Sequence, residues 1–321
     1  MRYLGWQTAI SYQSPSPEGV TQAYVHALLQ EMQDQGMTLV SFMMVSHGLN
    51  DPLHDGYAWP VRNPRLRCYV DEKIRNAQPG QEFLRAEIEH AAGLGLHVQL
   101  FTNNFWWNHA KARRGYPGLV AIPSGDPATG DWHHPASNQA AWDMACDEAS
   151  DLLEFYGSAA VRSYGWETMG VPWGPDRAED YAATMRRFAA HIRRARPDIE
   201  VWHHGYMKFE HGRSPEAYRA AGIDVVFPCI HLVTNEDQLV EVLDSSGDIP
   251  TVLHMDVRDQ PTANYRVPPK TPEYIEQMCR WITRHQRDNL LGVMFFNEVY
   301  TSRENREAVY RQIDKWRHAA V

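Results

Sequence analysis

Apolar positions along this 321-residue chain follow two rhythms that take turns. Short, nearly continuous apolar runs occur at YLGWQTAI (3–10), TLVSFMMVS (38–46), LHVQLFTN (96–103), VRSYGWETMG (161–170), IEVWHHGY (199–206), IDVVFPCIH (223–231), TVLHMDV (251–257) and GVMFFNEVY (292–300). Each predicts a β-strand. Between them lie longer segments with apolar residues at helical spacing, such as 21–36, 82–95, 138–157, 178–197 and 272–289, and these predict amphipathic helices. Strand and helix alternate throughout.

The punctuation agrees with this period. Gly36, Gly95, Gly157 and Gly222 each stand just before a predicted strand, where a left-handed helix C-cap favours a residue without a Cβ. Ser214-Pro215 and Thr271-Pro272 each place an N-cap residue before a proline at the first helical position. Repeated βα units demand a parallel sheet, and eight of them are best satisfied by closure into one (β/α)8 barrel, an α/β fold spanning residues 1–321 as a single domain. An open doubly wound sheet is the alternative, disfavoured because no GxGxxG or GxxxxGK[ST] phosphate loop follows any predicted strand. Residues 47–80 and 103–137, after the second and third strands, exceed ordinary connections and predict functional loops on the catalytic face.

Composition narrows the function classes. A hydrophobic fraction of 43% and a charged fraction of 22% are ordinary for a globular domain, and no apolar stretch approaches the ~20 residues of a membrane helix. A formal net charge of −9 argues against nucleic acid, which calls for a basic face. Cys68, Cys146, Cys229 and Cys279 lie far apart without CxxC or local Cys/His spacing, so neither a zinc site nor a disulfide framework is expected. The first residues lack the basic start and apolar run of a signal peptide, which gives a cytoplasmic expectation. The unusual feature is 11 Trp, 15 Tyr and 16 His, an excess that suits a site gripping flat faces.

In barrels of this kind the chemistry gathers where strands end at their carboxyl side. Here the third strand ends on Asn103, the fourth on Trp166-Glu167, the fifth on Trp202-His203-His204 and the sixth on His231. The seventh ends on His254-Met255-Asp256, followed by Arg258, and the eighth on Asn297-Glu298, with Tyr300 just beyond. Buried carboxylates are costly unless paired, so several converging in one mouth point to an active site. The catalytic candidates are Glu167, Glu298 and Asp256. The substrate-binding candidates are Asn103, Trp106, Trp107, His134, Trp166, Trp173, His204, His231, His254, Arg258, Asn297 and Tyr300. Structural roles compete with these: Asp256 as an ion-pair partner of Arg258 at the rim, each histidine as a hydrogen-bonded wall residue, and the loop tryptophans as anchors against helices.

The run LGLHVQLFTNNFWWNHAKARRGYPG (94–118), then DWHHPAS (131–137), LLEFYG (152–157) and YGWETMG (164–170) resembles barrel glycoside hydrolases, loosely their α-fucosidase-like and β-galactosidase-like groups. The upstream DGYAWPVRNPRL (55–66) is similar in style to the substrate loop after their second strand. The resemblance covers about half the chain and implies a carbohydrate substrate, with the strand-four carboxylate, Glu167, acting in glycosidic cleavage. Such chemistry needs a second group, nucleophile or base. Many such enzymes take it from strand six or seven; here Asp256 lies on strand seven and the clearest second acid, Glu298, on strand eight. No cofactor is implied. A competing resemblance, to metal-dependent sugar isomerases of the xylose-isomerase type, implies a divalent ion (Mn²⁺, Mg²⁺ or Zn²⁺) held by Glu167, His204, His231 and Glu298. A non-catalytic carbohydrate-binding barrel is the third possibility.

Overall fold

The computed structural model describes residues 1–8, 21–46, 56–69, 83–122, 131–167, 178–205, 214–260 and 268–318. Eight parallel strands close into a barrel: β1 (Tyr3–Thr8), β2 (Leu39–Met43), β3 (His97–Asn103), β4 (Val161–Glu167), β5 (Glu200–Gly205), β6 (Val225–Pro228), β7 (Thr251–Asp256) and β8 (Leu290–Phe296). Each strand is hydrogen-bonded to its sequence neighbours, and β8 closes on β1. Each of the eight predicted apolar runs contributes one barrel strand.

Outside the barrel run α1 (Gln22–Asp34), α2 (Phe83–Gly93), α3 (Gln139–Tyr156), α4 (Ala178–Ala195), α5 (Pro215–Ala221), α6 (Glu236–Ser245), α7 (Pro272–Arg284) and α8 (Arg303–His318). No helix among the described residues is long and apolar enough to cross a membrane. Ser214 and Thr271 cap α5 and α7 as expected, each accepting a backbone N–H three residues on, with proline in the first turn. Gly36, Gly95 and Gly222 adopt φ of +72°, +82° and +74°. Gly157 departs from the expected left-handed cap: at φ −72° it ends α3 with its N–H bonded to the Leu153 carbonyl.

Strand pleating sorts the side chains into two cores. Leu4, Trp6, Val40, Phe42, Val98 and Leu100 face the helices and belong to the larger core. Inside the barrel, Tyr3, Leu39, Phe101, Trp202, Phe227, Val252 and Met294 pack against one another. Two glycines let the strands beside the closure approach: a Cβ on Gly5 would stand 1.6 Å from the Leu39 carbonyl oxygen, and one on Gly292 would stand 1.7 Å from that of Tyr3.

Short antiparallel ribbons follow β2 and β3. After β2, residues Val45–Ser46 pair antiparallel with Gly56–Tyr57. After β3, Trp106–Trp107 pair antiparallel with Asp131–Trp132, and a short helix, His109–Gly115, follows. Phe105, buried and at φ +68°, turns the chain from β3 into this ribbon, a left-handed conformation uncommon for a bulky residue.

Candidate active site

The polar strand ends divide by the parity of the pleat, since successive side chains point to opposite faces. On β4, Trp166 faces outward: it is fully buried, with its ring 4.6 Å from Phe188 of α4 and edge-on to His203 at 4.5 Å. Glu167 is the inward neighbour. On β5 the same rule sends His203 outward, 3.0 Å from the Tyr181 hydroxyl, and His204 inward, its ring edge-on to Phe101. The barrel mouth therefore receives Glu167 and His204, whereas Trp166 and His203 serve the helix layer.

Glu167, His204 and His254 form a continuous chain of contacts. Glu167 Oε1 lies 2.7 Å from His204 Nδ1, and His204 Nε2 lies 2.7 Å from His254 Nδ1. All three are at most 5% exposed. A carboxylate beside Nδ1 favours the tautomer with the proton there, which leaves His204 Nε2 to accept from His254 Nδ1–H. Burial, followed by the charges of His231, His204 and Arg258, holds His254 far below the usual imidazole range. Burial likewise lowers His231 to about 3; its ring stacks on Phe296 at 5.4 Å and lies 4.7 Å from the His254 ring.

Asp256 and Arg258 form a buried bidentate pair, Nε to Oδ1 at 2.8 Å and Nη2 to Oδ2 at 3.1 Å. Burial pushes the Asp256 carboxyl up, but the hydrogen bonds and charge of Arg258, with His231 adding to them, leave it below the usual carboxylate range. The Arg258 guanidinium also covers the Phe296 ring at 4.5 Å. Lys270 donates to the His231 carbonyl at 3.0 Å and adds a second buried cation to this corner. Cys229, just after β6, is buried beside it; burial raises its thiol pKa, and the charges of Glu167 and Asp256 both raise it further. The inward positions of β4, β5 and β7 thus bring Glu167, His204, His254 and Asp256 to one side of the mouth.

The remaining candidates lie at strand ends or in the loops beyond them. Glu298 is completely buried in the turn Glu298–Tyr300. After burial, its charge is the next cause raising the Tyr24 phenol on α1, and Arg306 of α8 donates to its backbone carbonyl at 2.7 Å. Asn297 caps that turn, accepting the Tyr300 N–H at 3.3 Å, and the Tyr300 carbonyl accepts from Asp259 and Gln260. Asn103 is buried and pairs in register with Glu167. His134 is buried in the loop after the second ribbon strand. Trp107 is fully buried and donates to Glu148 at 3.1 Å, which is the anchoring role. The Trp106 side chain and Trp173 lie outside the described residues.

Two acids of α3 that sequence reasoning passed over hold the long loops. Glu148, completely buried, accepts from the Tyr57 hydroxyl at 2.8 Å, Asn104 Nδ2 at 3.0 Å and Trp107 Nε1 at 3.1 Å. Asp151 accepts from Trp59 Nε1 at 2.7 Å and from the backbone N–H groups of Arg62 and Asn63. Their signal was present: charged residues three apart on a helix that otherwise turns Ala141, Met144, Ala145 and Leu152 inward.

No family model and no curated protein matches the sequence. Solved structures share the fold across nearly the whole chain. An exo-β-N-acetylglucosaminidase of glycoside hydrolase family 20 from Vibrio harveyi, in complex with N-acetylglucosamine, aligns with a TM-score of 0.58 at 11% identity, covering 97% of this chain and 54% of its own. This chain thus spans about half the length of that enzyme. An endo-β-1,4-mannanase from Thermotoga petrophila aligns at 0.61 and 12% identity, covering 98% and 76%. The glycoside hydrolase domain of PelA from Pseudomonas aeruginosa aligns at 0.52 and 11%, covering 94% and 96%. At such identities the likeness establishes the barrel, and the site stands on its own residues.

Proposed function

We propose that the protein is a glycoside hydrolase whose catalytic carboxyl group is Glu167 and whose second carboxylate is Asp256. The observation that carries this reading is the pair of buried acids at the inward-facing ends of β4 and β7, with the strand-end imidazoles of His204, on β5 between them in the strand order, and His254, on β7 itself. Glycosidic cleavage needs one carboxyl to handle the proton of the leaving oxygen and one to act as nucleophile or base. Asp256, kept ionised by Arg258, suits the second role. Glu167 suits the first, with His204 beside it to share or relay the proton. Glu298, in the turn beyond β8 and not within a strand end, is the weaker partner. That the three structural neighbours named above are carbohydrate-cleaving enzymes by their descriptions supports the same class.

The test is turnover of a panel of aryl glycosides and oligosaccharides by wild type, Glu167→Gln and Asp256→Asn. Loss of a catalytic proton donor or nucleophile is expected to lower kcat by roughly 10²–10⁴-fold in each variant. Near-normal rates in Glu167→Gln on a substrate the wild type cleaves would overturn the assignment. The anomer released, followed by NMR, then separates retention from inversion.

A further inference from the structure

We propose that His204, Cys229 and His254 form a binding site for a borderline-soft divalent metal ion, with Zn²⁺ as its natural probe. One ligand atom from each of the three lies within 4.8 Å of the others, and all three residues are buried. They stand at the ends of three consecutive strands, β5, β6 and β7, and Cys229 is bridged to His254 through the backbone. In the chain they follow one another at intervals of 25 residues, one βα unit each. This is why local Cys/His spacing gave no hint of them.

Two imidazoles and a thiol are the donor set that Zn²⁺ selects, and three protein ligands leave one tetrahedral position for water or another ligand. Glu167 supplies what such sites usually add. Its carboxylate oxygen stands 2.7 Å from Nδ1 of His204, a close ion-pair contact that favours the proton on that nitrogen and leaves Nε2 as the ligating lone pair. The set differs from the Glu167, His204, His231 and Glu298 ligation considered from sequence: His204 remains, Glu167 becomes the outer partner, and Cys229 and His254 replace the other two.

Binding requires small, specific changes. Two nitrogens bound to Zn²⁺ at ~2.0–2.1 Å in a tetrahedral array stand about 3.3 Å apart, so the His204 Nε2 to His254 Nδ1 contact of 2.7 Å must open by about half an ångström. The proton between those nitrogens moves to His254 Nε2, which has no hydrogen-bond partner among the described residues. The Cys229 thiol loses its proton to solvent as the sulfur–metal bond forms, so the bound ion keeps one net positive charge from these three ligands. The site shares Glu167 and His204 with the hydrolase reading but does not rest on it, and it can be tested without a substrate.

The full chain, stripped with chelator and equilibrated with Zn²⁺ or Co²⁺, is expected to bind about one equivalent per chain. The Co²⁺ form should show a near-ultraviolet thiolate-to-metal charge-transfer band. Cys229→Ser should abolish the band and His254→Gln should weaken affinity by at least ~100-fold, while Glu167→Gln should cost about 10–100-fold as an outer partner. Cys146→Ser, which alters a buried thiol on α3, should leave binding intact. The proposal fails if the wild type binds less than stoichiometrically, if its Co²⁺ form lacks the charge-transfer band, or if folded Cys229→Ser binds as well as wild type. The wild-type spectrum decides the matter even if a variant does not fold.

Discussion

Replacing Glu148 by alanine tests how the loops over the mouth are held. The carboxylate is inaccessible to solvent and takes hydrogen bonds from Tyr57, Asn104 and Trp107, which lie in the segments after β2 and β3. A hydrogen bond to a charged group contributes ~1.5–3 kcal/mol, so three amount to roughly 5–9 kcal/mol before relaxation. Removing a buried charge returns several kcal/mol of desolvation, which leaves a net loss of about 3–4 kcal/mol. Glu148→Gln keeps an acceptor for Tyr57 and Trp107 but turns an amide toward Asn104, and should cost only about 1–2 kcal/mol. The assay is the urea midpoint at constant slope, with amide hydrogen exchange read separately over 56–66 and 104–116. The alanine variant should unprotect those two segments before the barrel strands. A destabilisation below about 1 kcal/mol, or exchange raised evenly across the barrel, would refute the claim that Glu148 fastens both loops.

Other outcomes follow from single contacts. Arg258→Met strands the buried Asp256 carboxylate and should destabilise by about 3–5 kcal/mol; the double variant with Asp256→Asn should recover much of this in the same urea titration. His97, which packs between Tyr3 and Trp202, is lowered to about 4, chiefly by burial and then by Arg2 and Arg162. Because its folded pKa lies below the unfolded value of ~6.5, stability is full above pH ~6.5 and falls as pH drops toward 4, by up to about 3 kcal/mol. His97→Gln should flatten that stretch of the stability–pH curve, and an unchanged slope would disprove the assignment. Gly292→Ala places a methyl group against the Tyr3 carbonyl and should lower the melting temperature far more than Gly93→Ala, where a Cβ meets nothing within 4 Å.

The barrel was legible because strands buried on both faces become short apolar runs whose ends are easy to see. Helix α8 was not marked out by its pattern: RENREAVYRQIDKWRH buries a narrow stripe, Ala308, Val309, Ile313 and Trp316, amid charges. Gly157 was misjudged as a left-handed cap because a glycine at a helix end fits several terminations. At the site, the strand-end list identified the correct neighbourhood but not its sides. Trp166 and Glu167 were grouped as one feature, yet the small residues Ser163 and Gly165 on alternate positions before Glu167 already marked the inward face. Cys229 was missed for a different reason. Its partners come from neighbouring strands, and contacts between strands are invisible to rules that count residues along one segment.

The parity that separates His203 from His204 also bears on how this mouth can change over time. A one-residue insertion or deletion within β5 would exchange the two imidazoles, handing the partner of Tyr181 to the interior and withdrawing the partner of Glu167. The site can therefore drift by substitution, or by length changes in the loops, but not by single-residue slips in its strands. Distant counterparts of this mouth are better sought by matching which member of each strand-terminal pair faces inward than by matching the spelling of a motif.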